Sequence, residues 1–268
     1  MTALRIVQVD AFADRPFTGN PAAVMPLDAW LPDHVLQAIA MENNLAETAF
    51  TVPATDGEAD YELRWFTPAT EVVMCGHATL ASGHVLLAGE KVRFRTRNAG
   101  ILEVARDPGS GSGAGGAGYA MSLPAWAPAP RPLPAVVAAL GCAPIETLWH
   151  PQRYAVAVLE NEAQVRAVEP DFRALAKEGD LLTIVTAPGD DSDVVSRAFA
   201  PGAGIDEDPV TGSAHAVLTP YWAGRLGRPQ FTAYQASRRG GHVACRLEGE
   251  RVILGGKCVT VMEGVMRI

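Results

Sequence analysis

Short apolar runs dominate the first third of the chain. Ile6–Phe12, Ala22–Met25, Ala49–Val52 and Tyr61–Phe66 are rich in β-branched or aromatic residues and bounded by Gly, Pro, Asn or Asp. That pattern predicts strands. Asp33–Glu42 has helical spacing of apolar positions, with Pro32 just before it. Ala78–Leu87 is also predicted helical but is apolar nearly all round, as is Ala214–Leu226. A helix without a polar face is buried on every side. The pattern therefore predicts an α+β fold in which mixed strands wrap central helices.

The chain is written twice. Glu71-Val72-Val73-Met74-Cys75-Gly76-His77-Ala78 aligns without a gap on Glu207-Asp208-Pro209-Val210-Thr211-Gly212-Ser213-Ala214. Upstream, Phe66-Thr67-Pro68 matches Phe199-Ala200-Pro201. Downstream, Thr96-Arg97-Asn98-Ala99-Gly100 resembles Ser237-Arg238-Arg239-Gly240-Gly241. Three blocks in the same order predict two similar lobes. The run Gly109–Gly118 reads alone as a flexible linker. Its counterpart in the other half, however, is the hairpin His242–Leu247, Glu248–Glu250, Arg251–Leu254. Ile101–Arg106 and Tyr119–Leu123 are accordingly expected to pair, with the glycine-rich run as their hairpin loop. The lobe boundary is expected in the proline-rich Pro124–Pro134, giving lobes 1–126 and 127–268.

Composition narrows the function. The 268 residues suffice for a large core, 48% are hydrophobic, and the net charge is −8. No Lys/Arg run is present, which argues against nucleic acid and anionic membranes as partners. Met1–Phe12 reads as a strand rather than a signal peptide, and no window is apolar enough to span a bilayer. The expected location is the cytoplasm. The four cysteines, Cys75, Cys142, Cys245 and Cys258, form no C-x-x-C pair and no zinc-finger spacing. They are expected as reduced thiols.

Candidate chemistry clusters around the repeat. Both blocks place Gly at the start of a buried helix, where unpaired amides and the helix dipole attract anions. Gly76, Gly212 and Ser213 are the candidate binding positions. Two such helix starts facing each other across the lobes would grip a carboxylate. The alternative is that the glycines serve tight turns only. Glu47 stands at the mouth of an apolar strand, where desolvation suits a proton-transferring carboxylate; it could equally be an exposed loop-end residue. Asp208 is either a second active carboxylate or a turn and capping residue. His77 would share proton traffic with both. A thiol at a helix start, Cys75, can be acidified into a base, but its repeat partner is Thr211.

These segments resemble the PhzF-like (phenazine-biosynthesis) isomerases, within the diaminopimelate-epimerase-like fold. The resembling residues include Gln8–Phe12, Phe17-Thr18-Gly19-Asn20-Pro21-Ala22-Ala23-Val24, Glu47-Thr48-Ala49-Phe50, Arg64–Pro68, Cys75-Gly76-His77-Ala78-Thr79-Leu80, Glu207–His215 and Tyr234–Gly241. The resemblance implies two lobes, each a barrel-like mixed sheet around a central helix, with the active site between them, a homodimer, and neither metal nor organic cofactor. It implies a small anionic carboxylate as substrate. In the family's phenazine-pathway member, which isomerises trans-2,3-dihydro-3-hydroxyanthranilate, a glutamate moves a proton between ring carbons with help from a histidine and an aspartate. The matching positions are Glu47, His77 and Asp208, with substrate contacts at Gly76, Gly212 and Ser213. Ala46 departs from the serine often found before the glutamate, and Cys75 is a further departure, so the substrate itself is not carried over. Two other readings stay open: an amino-acid racemase, epimerase or dehydratase using Cys75, and a non-catalytic small-ligand binder.

Overall fold

The computed structural model describes residues 1–107, 109 and 118–268. The chain forms two compact units, one of Met1–Ser122 with Gly255–Ile268 and one of Leu123–Leu254. The first contains β1 (Ala3–Ala11), β2 (Asn20–Pro26), α1 (Asp33–Asn43), β3 (Glu47–Pro53), β4 (Tyr61–Phe66), β5 (Glu71–Val72), α2 (Gly76–Leu86), β6 (Lys91–Thr96) and β7 (Ile101–Arg106). Most of β8 (Gly118–Pro124) and the larger part of the C-terminal strand β17 (Arg251–Arg267) complete it.

Pairing closes this unit into a barrel. β1 pairs antiparallel with β2, β2 parallel with β3, β3 antiparallel with β4 and β4 parallel with β6. β6, β7 and β8 follow as antiparallel neighbours, β8 pairs with β17, and β17 returns to β1. α2 packs against β1, β2, β3, β6 and β7, strands from around the circumference, and so fills the interior. Its all-round apolarity is thereby explained: Gly76 to Gly83 are all buried. Gly83 is required by close packing, since a Cβ there would lie 2.4 Å from Val104 Cγ1. α1 covers the outer face, where Leu36, Ile39 and Ala40 meet Met25, Phe50 and Phe66.

The second unit repeats the plan. It contains β9 (Ala129–Pro130), α3 (Pro134–Leu140), β10 (Glu146–His150), β11 (Tyr154–Val158), α4 (Glu162–Ala167), α5 (Phe172–Ala176) and β12 (Leu182–Pro188). β13 (Val194–Ala200), β14 (Ile205–Asp208), α6 (Gly212–Leu226), β15 (Gln230–Gln235) and β16 (Gly241–Glu248) follow. β10–β11 antiparallel, β11–β12 parallel, β12–β13 antiparallel, β13–β15 parallel and β15–β16 antiparallel reproduce the pairings of β1 to β7. β9 lies against β10 as the end of β17 lies against β1. α6 is the buried helix; Trp222 Nε1 donates to Thr186 Oγ1 of β12 at 3.0 Å. Pro220 inside α6 cannot bond the carbonyl of Ala216. The backbone amide of Trp126 takes that carbonyl instead, at 3.1 Å, so the break leaves no orphan.

Most predicted elements are present within two residues at their ends, and Ile101–Arg106 pairs with the strand beginning at the end of the glycine-rich run, Val104 opposite Met121. The loop expected at Gly109–Gly118 lies outside the described residues apart from its two ends. One difference is instructive. Residues 127–268 were expected to form one lobe, yet Gly255–Ile268 belong to the first unit. β17 is 17 residues long, and its later part is registered against β1 from Ala3↔Arg267 to Ala11↔Cys258. Partnership, not sequence order, decides where a strand belongs. Among the described residues no helix is long and apolar enough to cross a membrane.

Candidate active site

In the first unit, α1 ends on Asn44 in the left-handed conformation (φ 48°) and the chain turns directly into β3. Glu47 is the first residue of that strand, opposite Ala22 of β2, so sheet register fixes its place. Cys75 is the extended N-cap residue of α2, which puts Gly76 and His77 at the first two helical positions. Glu47 Oε2 lies 2.9 Å from His77 Nε2, with the side chains 11% and 5% exposed. With the ring protonated this contact is a close, buried ion pair. On the opposite side of the ring, Asn20 Nδ2 is 3.1 Å and Cys75 Sγ 3.5 Å from His77 Nδ1.

Electrostatics follow from this geometry. Burial disfavours a charged imidazole, but Cys75 and Glu47 outweigh it and hold His77 well above 6.5. Burial, reinforced by the Glu47 charge, pushes the Cys75 thiol up to about 11. At neutral pH the sulfur is therefore uncharged, and Glu47 is the partner that counts for His77. The expected acidification of Cys75 by the helix start does not occur, because desolvation and a neighbouring carboxylate overcome the dipole. Glu47, Cys75 and His77 offer ligand atoms within 4.8 Å of one another, a donor set zinc accepts. The carboxylate lies against Nε2 of the ring and the sulfur against Nδ1.

The second unit holds the other expected residues. Asp208 ends β14, and Thr211 is the extended N-cap residue of α6, followed by Gly212 and Ser213. Thr211 Oγ1 donates to Asp208 Oδ2 rather than capping its helix. Gln235, wholly buried, accepts from the Thr211 amide at 2.9 Å and donates to the Asp208 carbonyl at 2.7 Å. The Tyr154 hydroxyl bonds the Ser213 side chain. His215 donates from Nδ1 to the Thr211 carbonyl at 2.8 Å, the same back-bond that Thr79 makes to Cys75 at 2.6 Å in α2. Burial pushes His215 down to about 4.

Register defines equivalent positions across the repeat. Thr48 pairs with Phe66 and Thr183 with Phe199, and Phe66 aligns on Phe199. Leu182 is therefore the counterpart of Glu47, as Thr211 is of Cys75 and Ser213 of His77. None of the three carries a group that titrates near neutral pH. The carboxylate–imidazole contact of Glu47 and His77 thus lies in the first unit and is not repeated at the equivalent positions of the second. The repeat also explains the matching glutamates. Arg64 binds Glu71 through Nε and Nη2 at 2.8 and 2.7 Å, and Arg197 binds Glu207 likewise at 2.7 and 3.1 Å. Each guanidinium lies 5.0 Å over the phenylalanine two residues on, Phe66 or Phe199.

Asn20, Gln235 and the two arginine clamps were not singled out as site or framework residues by sequence reasoning. Asn20 sits 57 residues before His77, and Gly-Asn-Pro reads locally as a turn. The arginines were within reach: they stand two residues upstream of the aligned phenylalanines.

The phenazine biosynthesis-like protein family, PhzC-PhzF, matches residues 9–264. An uncharacterized isomerase of Pseudomonas aeruginosa is 48% identical over 270 residues, 99% of each chain. The crystal structure of a phenazine biosynthesis protein PhzF family member from Enterococcus faecalis superposes with a TM-score of 0.90 at 43% identity, covering 100% of both chains. A hydroxyproline epimerase from Agrobacterium vitis, 12% identical and covering 98% of this chain and 92% of its own, shares the fold with a TM-score of 0.62. With its doubled sheet, its two buried helices and a family match along nearly its whole length, this chain belongs to the PhzC/PhzF phenazine biosynthesis-like family.

Proposed function

We propose that the protein is a cofactor-independent isomerase in which Glu47 removes a carbon-bound proton from a small carboxylate and returns it to another carbon of the same molecule. The electron pair left by the proton enters the adjacent unsaturated or carbonyl group, a double bond shifts, and the returning proton quenches the anion. Atoms and charge balance without a co-reactant. The two 48% identical relatives in Pseudomonas aeruginosa are both named isomerases.

The observation that carries this reading is the asymmetry of the repeat. A two-base racemase takes a proton on one face and returns it on the other, so it wants a base in each half. Here Leu182, Thr211 and Ser213 stand where the first unit has Glu47, Cys75 and His77. One base that both abstracts and redelivers fits that arrangement. His77, 2.9 Å from Glu47, is suited to share the proton with it and to stabilise negative charge that develops on the substrate. Asp208, the position that matches the family's aspartate, shares the proton traffic, and Gly76, Gly212 and Ser213 are the substrate-binding groups. Neither helix start is capped by its N-cap side chain, which keeps those amides suited to an anion. The homodimer implied by the resemblance belongs to the same reading, and light scattering of the eluting protein reads it directly.

The test is proton exchange in deuterated water. Wild type and Glu47→Gln are incubated with small carboxylic acids, including dihydrohydroxyanthranilate and amino acids, and read by mass spectrometry and NMR. Deuterium incorporation by wild type and its loss in Glu47→Gln is the expected result. Incorporation that survives the substitution overturns the assignment. A double-mutant cycle of Glu47→Gln with Asp208→Asn then tests whether both act on one substrate.

A further inference from the structure

We propose that Asn20 is a positioning residue for His77: its carboxamide selects which ring nitrogen carries the proton and keeps Nε2 aimed at Glu47. The inference rests on reading Glu47 and His77 as the proton-transfer pair. Among the described residues, Glu47 from β3, Cys75 from the N-cap of α2 and Asn20 from β2 approach the ring nitrogens. Of these Asn20 alone has both a strong donor and a strong acceptor. An NH2 directed toward Nδ1, at the 3.1 Å separation of Asn20 Nδ2 and His77 Nδ1, matches the neutral ring with its proton on Nε2, on the side of the carboxylate. With the amide turned over, Oδ1 accepts from Nδ1–H and the ring is the imidazolium. A half-turn of one buried amide thus follows the proton on and off His77, and the ring does not have to move.

The way Asn20 is delivered supports this. It is wholly buried and ends a loop of unusual backbone. Phe12 (φ 56°) and Phe17 (φ 71°) are left-handed, a conformation bulky side chains rarely adopt. Gly19 (φ 65°) is obligatory, because a Cβ would lie 2.2 Å from the Ala11 carbonyl oxygen. The loop is anchored from inside: the Phe17 amide donates to Oδ2 of the wholly buried Asp10 at 2.8 Å. Backbone strain of this kind persists where the surroundings over-determine it, and it concentrates at functional positions. In the second unit, where Ser213 replaces His77, the equivalent connection between β10 and β11 is residues 151–153, all exposed. Both connections contain a left-handed non-glycine residue, Arg153 (φ 66°) in the second unit. What distinguishes the first is that its exposed tip, Asp14–Phe17, is followed by the buried Gly19 and Asn20, which carry the amide inward to the imidazole.

The test is the ring spectrum of His77 in 15N-histidine-labelled full-length protein, assigned by loss of its signals in His77→Gln. In wild type the ring nitrogens report one defined protonation pattern at each pH. In Asn20→Asp the imidazolium persists to higher pH, with a midpoint raised by about one pH unit. In Asn20→Ala the neutral form spreads over both tautomers. On an exchanging substrate, kcat in Asn20→Ala falls about tenfold or more while KM changes little. A His77 pattern and midpoint unchanged in both variants overturns the proposal. If Asn20→Ala does not fold, the isosteric Asn20→Asp carries the decision. The two readings separate cleanly. A changed His77 spectrum with exchange surviving Glu47→Gln keeps the positioning role and removes Glu47 as base, and the opposite pair of results does the reverse.

Discussion

Replacing Glu47 by Gln removes a negative charge 2.9 Å from His77 Nε2 and keeps the size of the side chain. Two unit charges at that distance attract by about 6 kcal/mol at an effective dielectric near 20. Desolvation of both ions offsets much of this, yet removing one partner strands the other, and the loss is expected to be about 3 kcal/mol. That loss depends on pH. His77 is held above its ordinary value in the folded protein. Its contribution to stability is therefore complete below about pH 6.5, the unfolded value, and disappears as pH rises through the folded value. Without the carboxylate, burial acts unopposed and the folded value falls below the unfolded one. His215 shows the outcome: buried, with no carboxylate against its ring, it is pushed down to about 4. The variant then loses stability on acidification, as the unfolded chain takes up a proton the folded one refuses. Its deficit against wild type is expected to be largest near roughly pH 5 and to narrow toward about pH 9. Urea unfolding across that range measures the deficit, and 15N NMR follows His77 directly. A deficit independent of pH, or a His77 midpoint that does not fall in Glu47→Gln, would refute the reasoning.

Arg64, 3% exposed, holds Glu71 and Asp33, so Arg64→Ala is expected to cost about 3–5 kcal/mol in urea unfolding. Arg197→Ala should cost somewhat less, since that side chain is 13% exposed. The Cys75 thiol, pushed up to about 11, should resist alkylation by iodoacetamide at neutral pH in the native protein, and Cys75→Ser should keep most of the proton-exchange activity. Rapid native alkylation assigned to Cys75 by peptide mapping, or a large loss of exchange in Cys75→Ser, would favour a thiol base instead. Gly83→Ala places a Cβ 2.4 Å from Val104 Cγ1. Val104 is buried and β-branched, so the barrel must give way, at about 1–3 kcal/mol by thermal or urea unfolding.

Much of this protein is legible before folding. Short β-branched and aromatic runs bounded by turn residues, and two helices without a polar face, predict strands around buried helices, because local propensity and burial act over a few residues. The duplication is legible too, since a repeated fold keeps its turn glycines and its paired glutamates. The repeat alignment even reads through the glycine-rich run to the pairing of Ile101–Arg106 with Tyr119–Leu123, which a linker reading would have missed. Family resemblance then points to Glu47, His77 and Asp208.

What the chain alone leaves open is whatever depends on partners distant in sequence. The pattern predicts a strand only over Arg251–Leu254, and pairing with β1 is what extends it and moves Gly255–Ile268 into the first unit. Leu182 becomes the counterpart of Glu47 only through sheet register, because no motif surrounds it. Cys75 looks like an acidified thiol from its place at a helix start, and burial beside Glu47 reverses that expectation. Asn20 reads as a turn residue until a strand 57 positions earlier than His77 brings its amide to the ring. Sequence encodes which residues are apolar, which can turn and which can titrate. Charge state and partnership are set by distance and dielectric, and those exist only once the sheet has closed around its helix.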